Sequence, residues 1–203
     1  MPKVGVQPIR RRQLIDATID AIHAYGYDDT TVAKIAARAG LSAGIIAHYF
    51  GSKGELLEAT MRSLLTGLRR QTVSQLAAAA DPLDRISAIV AANFHETQCT
   101  PPVVAAWLAF WAQVPHAPAL ARLQRVYRAR LHSNLRRELR RLGLDRGHAD
   151  DVAELLASLI DGIWVRAALA GGGLDTAHAR RRVMETLRLH LAAVRPVALG
   201  AMD

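Results

Sequence analysis

Residues 39–57 read "AGLSAGIIAHYFGSKGELL", and how this run is interpreted decides the fold. Gly40 and Gly51 break the stretch and leave a short helical segment between them. Isolated helices below about 12 residues are marginal in water, so neighbours must hold a segment this short. Its side chains are small where a surface helix usually carries charge, at Ala43, Gly44 and Ala47. Ser42 is the expected N-cap, with Leu41 before it and Ile46 four residues after it in the hydrophobic-staple arrangement. Ile46 and Phe50 are expected to face inward. Gly51 stops the segment, and Ser52 with Glu55 three residues on forms a capping box that starts another helix.

The flanks give this segment its supports. Upstream, Ile15, Ile19 and Ile22 follow the i, i+4, i+7 helical spacing, and "YGYDDTT" ends that helix. Thr31 caps a second helix whose apolar positions are Val32, Ile35, Ala36 and Ala39, closed by Gly40. Downstream, a fourth helix is expected from Lys53 towards Ala80. Pro82, Pro101–Pro102, Pro115 and Pro118 then mark further joints. Helices are expected over about 83–99, 103–114, 118–142, 147–170 and 175–195, the last two separated by Gly171–Gly173. Strand signals are nearly absent. The chain therefore predicts an all-α fold of about nine helices, with a small N-terminal unit over 1–62 and a larger helical body over 63–203.

Composition narrows the class without deciding it. The chain has 203 residues, 51% hydrophobic and 22% charged, which excludes a disordered chain. No apolar run reaches the ~18 residues of a membrane span, and the N-terminus lacks a signal-peptide core, so the expected setting is cytoplasmic with no membrane partner. The single cysteine, Cys99, excludes a disulfide framework and a cysteine-rich zinc site; no metal and no cofactor are expected. Net charge is +8, yet residues 1–62 carry eight Lys/Arg against six Asp/Glu, so +6 of it lies further on. Much of that excess is arginine between 122 and 141. Bulk charge thus suggests a polyanion partner but points at no one surface.

Two short helices joined by "AGLS" and braced by a longer one form a helix-turn-helix plan, whose second helix enters the major groove of double-stranded DNA. Lys53 is the most informative single residue. A cation in the first turn of a helix opposes the macrodipole by ~0.3–1 kcal/mol, a placement that makes sense when a phosphate docks there. Arg10–Arg12, ahead of the first helix, add positive charge nearby, and His48 and Tyr49 are positioned to donate to the same backbone. Tyr49 packing inward and the arginines forming a solvated end remain the alternatives.

"TTVAKIAARAGLSAGIIAHYFGSKGELL" (residues 30–57) resembles the signature of the tetracycline-repressor (TetR) family, and the resemblance covers roughly residues 8–62. It implies dimeric repressors whose N-terminal helices bind an operator while a variable helical body binds a ligand. On this family's pattern, Thr31 and Val32 begin the supporting helix and Ser42, Ala43, Gly44, Ile45 and Ala47 belong to the reading helix. His48, Tyr49 and Lys53 would contact the DNA backbone. One departure is Ala47, where the family usually has tyrosine. Small residues at 43, 44 and 47 predict close backbone approach and apolar contact with thymine methyls, hence a T-rich half-site. "MPKVGVQPIRRRQLIDATIDAI", "SAGIIAHYF", "AFWAQ" and "LASLIDGIWVRAAL" further resemble the BetI-type branch, repressors of choline-to-glycine-betaine genes that respond to choline.

In the body, Trp107, Phe110 and Trp111 fall within five residues, and Asp161 interrupts the apolar run "LLASLIDGIWV" one turn from Trp164. Aromatic faces with one anion suit a quaternary ammonium, which lacks ordinary hydrogen-bond donors. Asn93, Phe94 and Tyr127 are candidates for the same pocket. The alternative is an aromatic core with Asp161 paired to Arg166 or Arg122. A different small or lipophilic cation is the competing effector. Apolar stripes from Val152 to Ile163 and at Val183, Leu187, Leu191 and Val194 predict a homodimer through the last two helices, which would require a palindromic operator. No catalytic motif is present, and His95, Glu96 and Cys99 are the nearest thing to a reactive cluster, so no catalytic residue is expected.

Overall fold

Capping side chains and prolines set most of the helix boundaries. The computed structural model describes residues 6–171 and 173–194, which form nine α-helices and one 3-10 turn. They are α1 Val6–Tyr25, α2 Val32–Arg38, α3 Gly44–Phe50, α4 Lys53–Ala77, α5 Pro82–Asn93, α6 Pro101–Gln113, α7 Pro118–Arg141, α8 Arg146–Ala170 and α9 Thr176–Val194. Thr31 accepts from the Lys34 N–H at 3.2 Å and starts α2. Asp81 accepts from Leu83 and Asp84 at 2.9 and 3.0 Å and, with Pro82 as the first helical residue, starts α5. Ser52 accepts from the Glu55 N–H at 3.1 Å and starts α4.

The described residues fall into two compact units: residues 6–67 with Thr97–Arg125, and Leu68–Glu96 with the described part of 126–194. The first takes in α6 and the start of α7 as well as the three-helix head. There α1 packs against α6, α2 and α3. Leu14, Ala17, Ala21, Ile35, Ala36, Ile46, Phe50 and Leu56 make the head's core, with Leu41, Val32, Ile45 and Tyr49 partly buried against it. In the second unit α9 packs on α8 and α5. Its core includes Val152, Leu156 and Ile160 from α8 and Val183, Met184 and Leu187 from α9.

Several expectations need correction. Ser42 is not the side-chain cap of α3: Ala43 stands at that position with helical angles and no capping bond, while the Ser42 carbonyl accepts from Ile45 at 3.1 Å. The Ile46 N–H likewise donates to the Ala43 carbonyl at 3.3 Å, so a 3-10-like turn starts the helix in place of a side-chain cap. Arg10–Arg12 lie within α1, not ahead of it. The buried face of α1 takes in Ile19 and Ile22 of the isoleucine stripe together with Leu14, Ala17, Thr18 and Ala21, while Ile15 is half-buried at its edge. The helix expected over 83–99 ends at Asn93, followed by a 3-10 turn at Glu96–Gln98. Gly172 and the side chain of Val194 lie outside the described residues.

Ile46 is fully buried and its neighbour Ala47 exposed. Ile46→Ala is expected to lower the unfolding free energy in urea by about 2–5 kcal/mol. Ala47→Ser should change it by less than about 0.5 kcal/mol. Equal losses for both would show that α3 is not seated as described.

Candidate functional site

The head presents its small residues outward. Ile46 and Phe50 anchor α3 from beneath, and this leaves Ser42, Ala43, Gly44, Ala47 and His48 exposed on the opposite side. Gly44 has no atom within 4 Å of where a Cβ would sit, so its lack of a side chain is not a packing requirement. Thr31 is exposed at the start of α2, whereas Val32 and Ile45 are half-buried and direct apolar surface to the core. Tyr49 takes an intermediate position. It packs on the core, and its ring meets His48 edge-on at 4.9 Å.

Basic side chains frame this face in ways the sequence did not announce. Arg11 of α1 donates to the Tyr49 carbonyl and lies 4.2 Å over the Phe50 ring, tying α1 to the end of α3. Lys53 lies half-buried at the start of α4 with its ammonium 5.4 Å from the Tyr27 ring centre. Burial, then the charge of Asp28, raises the Tyr27 phenol above its ordinary value, so the ring stays neutral. A face-on aromatic holds an ammonium by ~0.5–1 kcal/mol at exposed sites and leaves its donors free. Lys34 and Arg38 of α2 share the Tyr25 ring at 4.5 and 5.0 Å, and Lys34 donates to the Asp29 carbonyl at 2.8 Å. The signal available in sequence was "YGYDD" set close to basic helix starts.

The ligand candidates divide between the two units. In the second, the Tyr127 hydroxyl lies 3.3 Å from Asn93 Oδ1 and 3.5 Å from Asp161 Oδ1. The Trp164 indole N–H donates to the Asn93 carbonyl at 3.3 Å, and Asn93 Nδ2 donates to Ile89 at 2.9 Å. Asn93 is thus committed to holding Tyr127 and Trp164 in place. Phe94 is fully buried core. Burial pushes the Asp161 carboxyl up to about 6, against the pull of Arg128 and the Tyr127 hydroxyl. Burial, then the Asp161 charge, also pushes the Tyr127 phenol well above its usual range. Among the described residues Asp161 makes no ion pair, so neither Arg166 nor Arg122 serves as the partner the alternative required.

Trp107, Phe110 and Trp111 form their own ring cluster in the first unit. Trp107 meets Phe110 edge-on at 5.7 Å and Trp111 at 5.8 Å with a 43° tilt. The Trp111 indole N–H in this cluster is buried without a hydrogen-bond partner among the described residues. A donor left unmade in this way costs ~1–3 kcal/mol unless a water or a ligand supplies the acceptor.

Comparison with known proteins identifies the architecture. Residues 14–60 match the family described as bacterial regulatory proteins, tetR family, and residues 82–192 match the BetI-type transcriptional repressor, C-terminal family. The HTH-type transcriptional regulator BetI of Burkholderia lata is 51% identical over 95% of this chain and 100% of its own. That of Klebsiella pneumoniae is 52% identical over 94% and 98%. Among solved structures, a transcriptional regulator from Pseudomonas aeruginosa PAO1 superposes with a TM-score of 0.81 at 26% identity, covering 92% of each chain. Another, from Saccharomonospora viridis in complex with choline, has a TM-score of 0.78 at 21% identity, covering 89% of this chain and 96% of that one.

Two substitutions test the exposed face. Gly44→Ala is expected to leave urea stability unchanged or raised by up to about 1 kcal/mol, yet to weaken specific DNA binding about tenfold or more by blocking close approach. Lys53→Gln is expected to reduce the salt slope of DNA binding by about 0.9, the release of one counterion. Unchanged affinity in the first and an unchanged slope in the second would remove this face from the DNA interface.

Proposed function

This chain is a DNA-binding transcriptional repressor of the TetR family with a BetI-type C-terminal domain, and from that premise we propose that it represses choline-to-glycine-betaine genes and is relieved by choline. The class is non-enzymatic, so the histidines need no catalytic role. Repression follows from operator occupancy by the exposed small face of α3 with Lys53 on the phosphate backbone. A dimer reads a palindromic site, and the repressor works in the cytoplasm where the DNA is.

Asp161 carries this proposal: a half-buried carboxylate that makes no ion pair among the described residues, it stands beside the Tyr127 hydroxyl, one helical turn from Trp164. An unpaired carboxylate taken out of water costs several kcal/mol. A bound cation offsets that cost by its charge. A quaternary ammonium adds cation–π attraction to the Trp164 face, ~0.5–2 kcal/mol, without competing for hydrogen bonds. The fold accommodates choline in the Saccharomonospora viridis regulator, which supports this choice. A different lipophilic cation is the competing effector. It would bind through area alone and would not require Asp161.

The sign of the pH dependence follows from Asp161. Its folded-state value of about 6 lies above the ordinary 3.8, so the ionised form is disfavoured in the fold. That penalty is fully present above pH 6 and vanishes as pH falls below the ordinary value. Asp161→Asn is therefore expected to be as stable as the parent chain, or more so, in urea at pH 7. Choline binding needs the carboxylate, so affinity should fall about tenfold per pH unit well below pH 6. Calorimetric titration checks this: Asp161→Asn should weaken choline binding tenfold or more at pH 7.5 and lose the pH dependence. Equal affinity in both proteins would remove Asp161 from the site.

The dimer is expected to form through α8 and α9. Leu155, Leu169 and Leu189 on these helices are 39, 76 and 72% exposed, apolar surface that a second copy would cover. Sedimentation at micromolar concentration should give twice the 22.1 kDa chain mass. A monomer would contradict the two-fold scheme.

A further inference from the structure

Glu138 is the single acid among eight arginines on α7, and it is entirely shielded from water. Three guanidinium groups surround it. Arg85 donates from Nε to Oε1 at 3.0 Å, Arg137 to the same oxygen at 2.8 Å, and Arg141 to Oε2 at 2.5 Å. Burial alone would push this carboxyl up, but the three arginines outweigh it and hold it below its ordinary value. A carboxylate so thoroughly satisfied is a fixed point in the second unit.

Arg85 uses its remaining donors on α4. Its NH1 group donates to the carbonyls of Leu76 and Ala79, each at 3.3 Å. The Leu76 carbonyl, in the last turn of α4, also accepts the Ala79 N–H at 3.3 Å, and Ala79 lies two residues past the helix, so the guanidinium clasps the helix end where the macrodipole favours a cation. The last turn of α4 carries no basic residue of its own, so α5 supplies the cation from outside the helix. At its other end α4 begins with Lys53.

α7 joins this network to the effector cluster. Tyr127 and Glu138 are eleven residues apart on α7, three turns, and so share one face of the helix. A continuous path within the second unit runs from Asp161 to Tyr127, along α7 to Glu138, through Arg85, and into the last turn of α4. Arg125 ends the first unit's share of α7, and Tyr127 and Glu138 both lie beyond it.

We propose that Arg85 and Glu138 are positioning residues for effector coupling: they pin the C-terminal turn of α4 to α7, so that a cation seated at Asp161 acts on α4 through α7. This rests on the ligand-relieved repressor reading above. Neither residue touches ligand or DNA. Their removal should spare both binding events and weaken the link between them, and that separates positioning from a structural role.

Glu138→Gln and Arg85→Gln test this in the full chain. Without ligand, hydrogen exchange of the amides at 73–79 should accelerate at least tenfold in either variant, while exchange in α8 stays unchanged. The choline dissociation constant of the free protein and the operator dissociation constant without choline should each stay within about threefold of the parent. The change in operator affinity on adding choline, typically about 5–150-fold for coupled sites, should shrink below threefold. A folded variant that keeps the full choline effect, or shows unchanged exchange at 73–79, overturns the proposal. If Glu138→Gln does not fold, Arg85→Gln decides, because it leaves Glu138 with two arginines. If the parent protein itself shows no response to choline, the effector reading fails, and the pinning of α4 is judged on exchange alone.

Discussion

Seven residues of helix cannot hold themselves together in water, and both α2 and α3 have seven. Each must spend one face on a common core, and α1 provides it. Leu14, Ala17 and Ala21 receive Ile35 and Ala36 from α2 and Ile46 and Phe50 from α3. Everything else about the reader follows. Once Ile46 and Phe50 point inward, the helical period leaves Ala43, Gly44 and Ala47 pointing outward. Large side chains there would gain no packing and would hold the backbone away from a ligand. Arg11 reinforces the arrangement by joining α1 to the end of α3.

Two acids in the second unit show how the same cost can be met in opposite ways. Glu138 is buried with three cations and is therefore a structural fixture. Asp161 has a tyrosine hydroxyl nearby but no ion pair among the described residues, and burial pushes its carboxyl up to about 6. A buried group satisfied within the chain has nothing left to recognise. The one without a cation is where an outside charge gains most, and this contrast, more than aromatic content, is why Asp161 is the proposed effector contact. It also explains why α7 matters: the same helix carries a contact to the unpaired acid and the fully paired acid itself.

Local pattern carried most of the fold into view. The helix count, the glycine breaks, the capping at Thr31 and Ser52 and the inward face of α3 all depend on neighbours within four residues, where periodicity and capping chemistry act. Ser42 has the residue type of a cap, but Ala43 with helical angles takes that position, and residue type alone does not carry that backbone geometry. Asp161, Tyr127 and Trp164 could be named from composition. Their hydrogen bonds, and the commitment of Asn93 to Ile89 and Tyr127, depend on packing between helices far apart in sequence. The ion pair of Arg85 with Glu138 spans 53 residues and was out of reach, although one acid in an arginine-rich helix was a visible clue. Lys53 could be singled out as a candidate anion contact from its disfavoured helix-start position, but not its perch over Tyr27.

In the proposed scheme a small quaternary ammonium controls operator occupancy by this chain. A nuclease footprint of the purified protein on the DNA upstream of its own gene, with and without saturating choline, tests it most directly. The expected result is protection of a palindromic, T-rich site that weakens or changes pattern when choline is added. A protected site that is identical at every choline concentration, or no protected site at all, would contradict it.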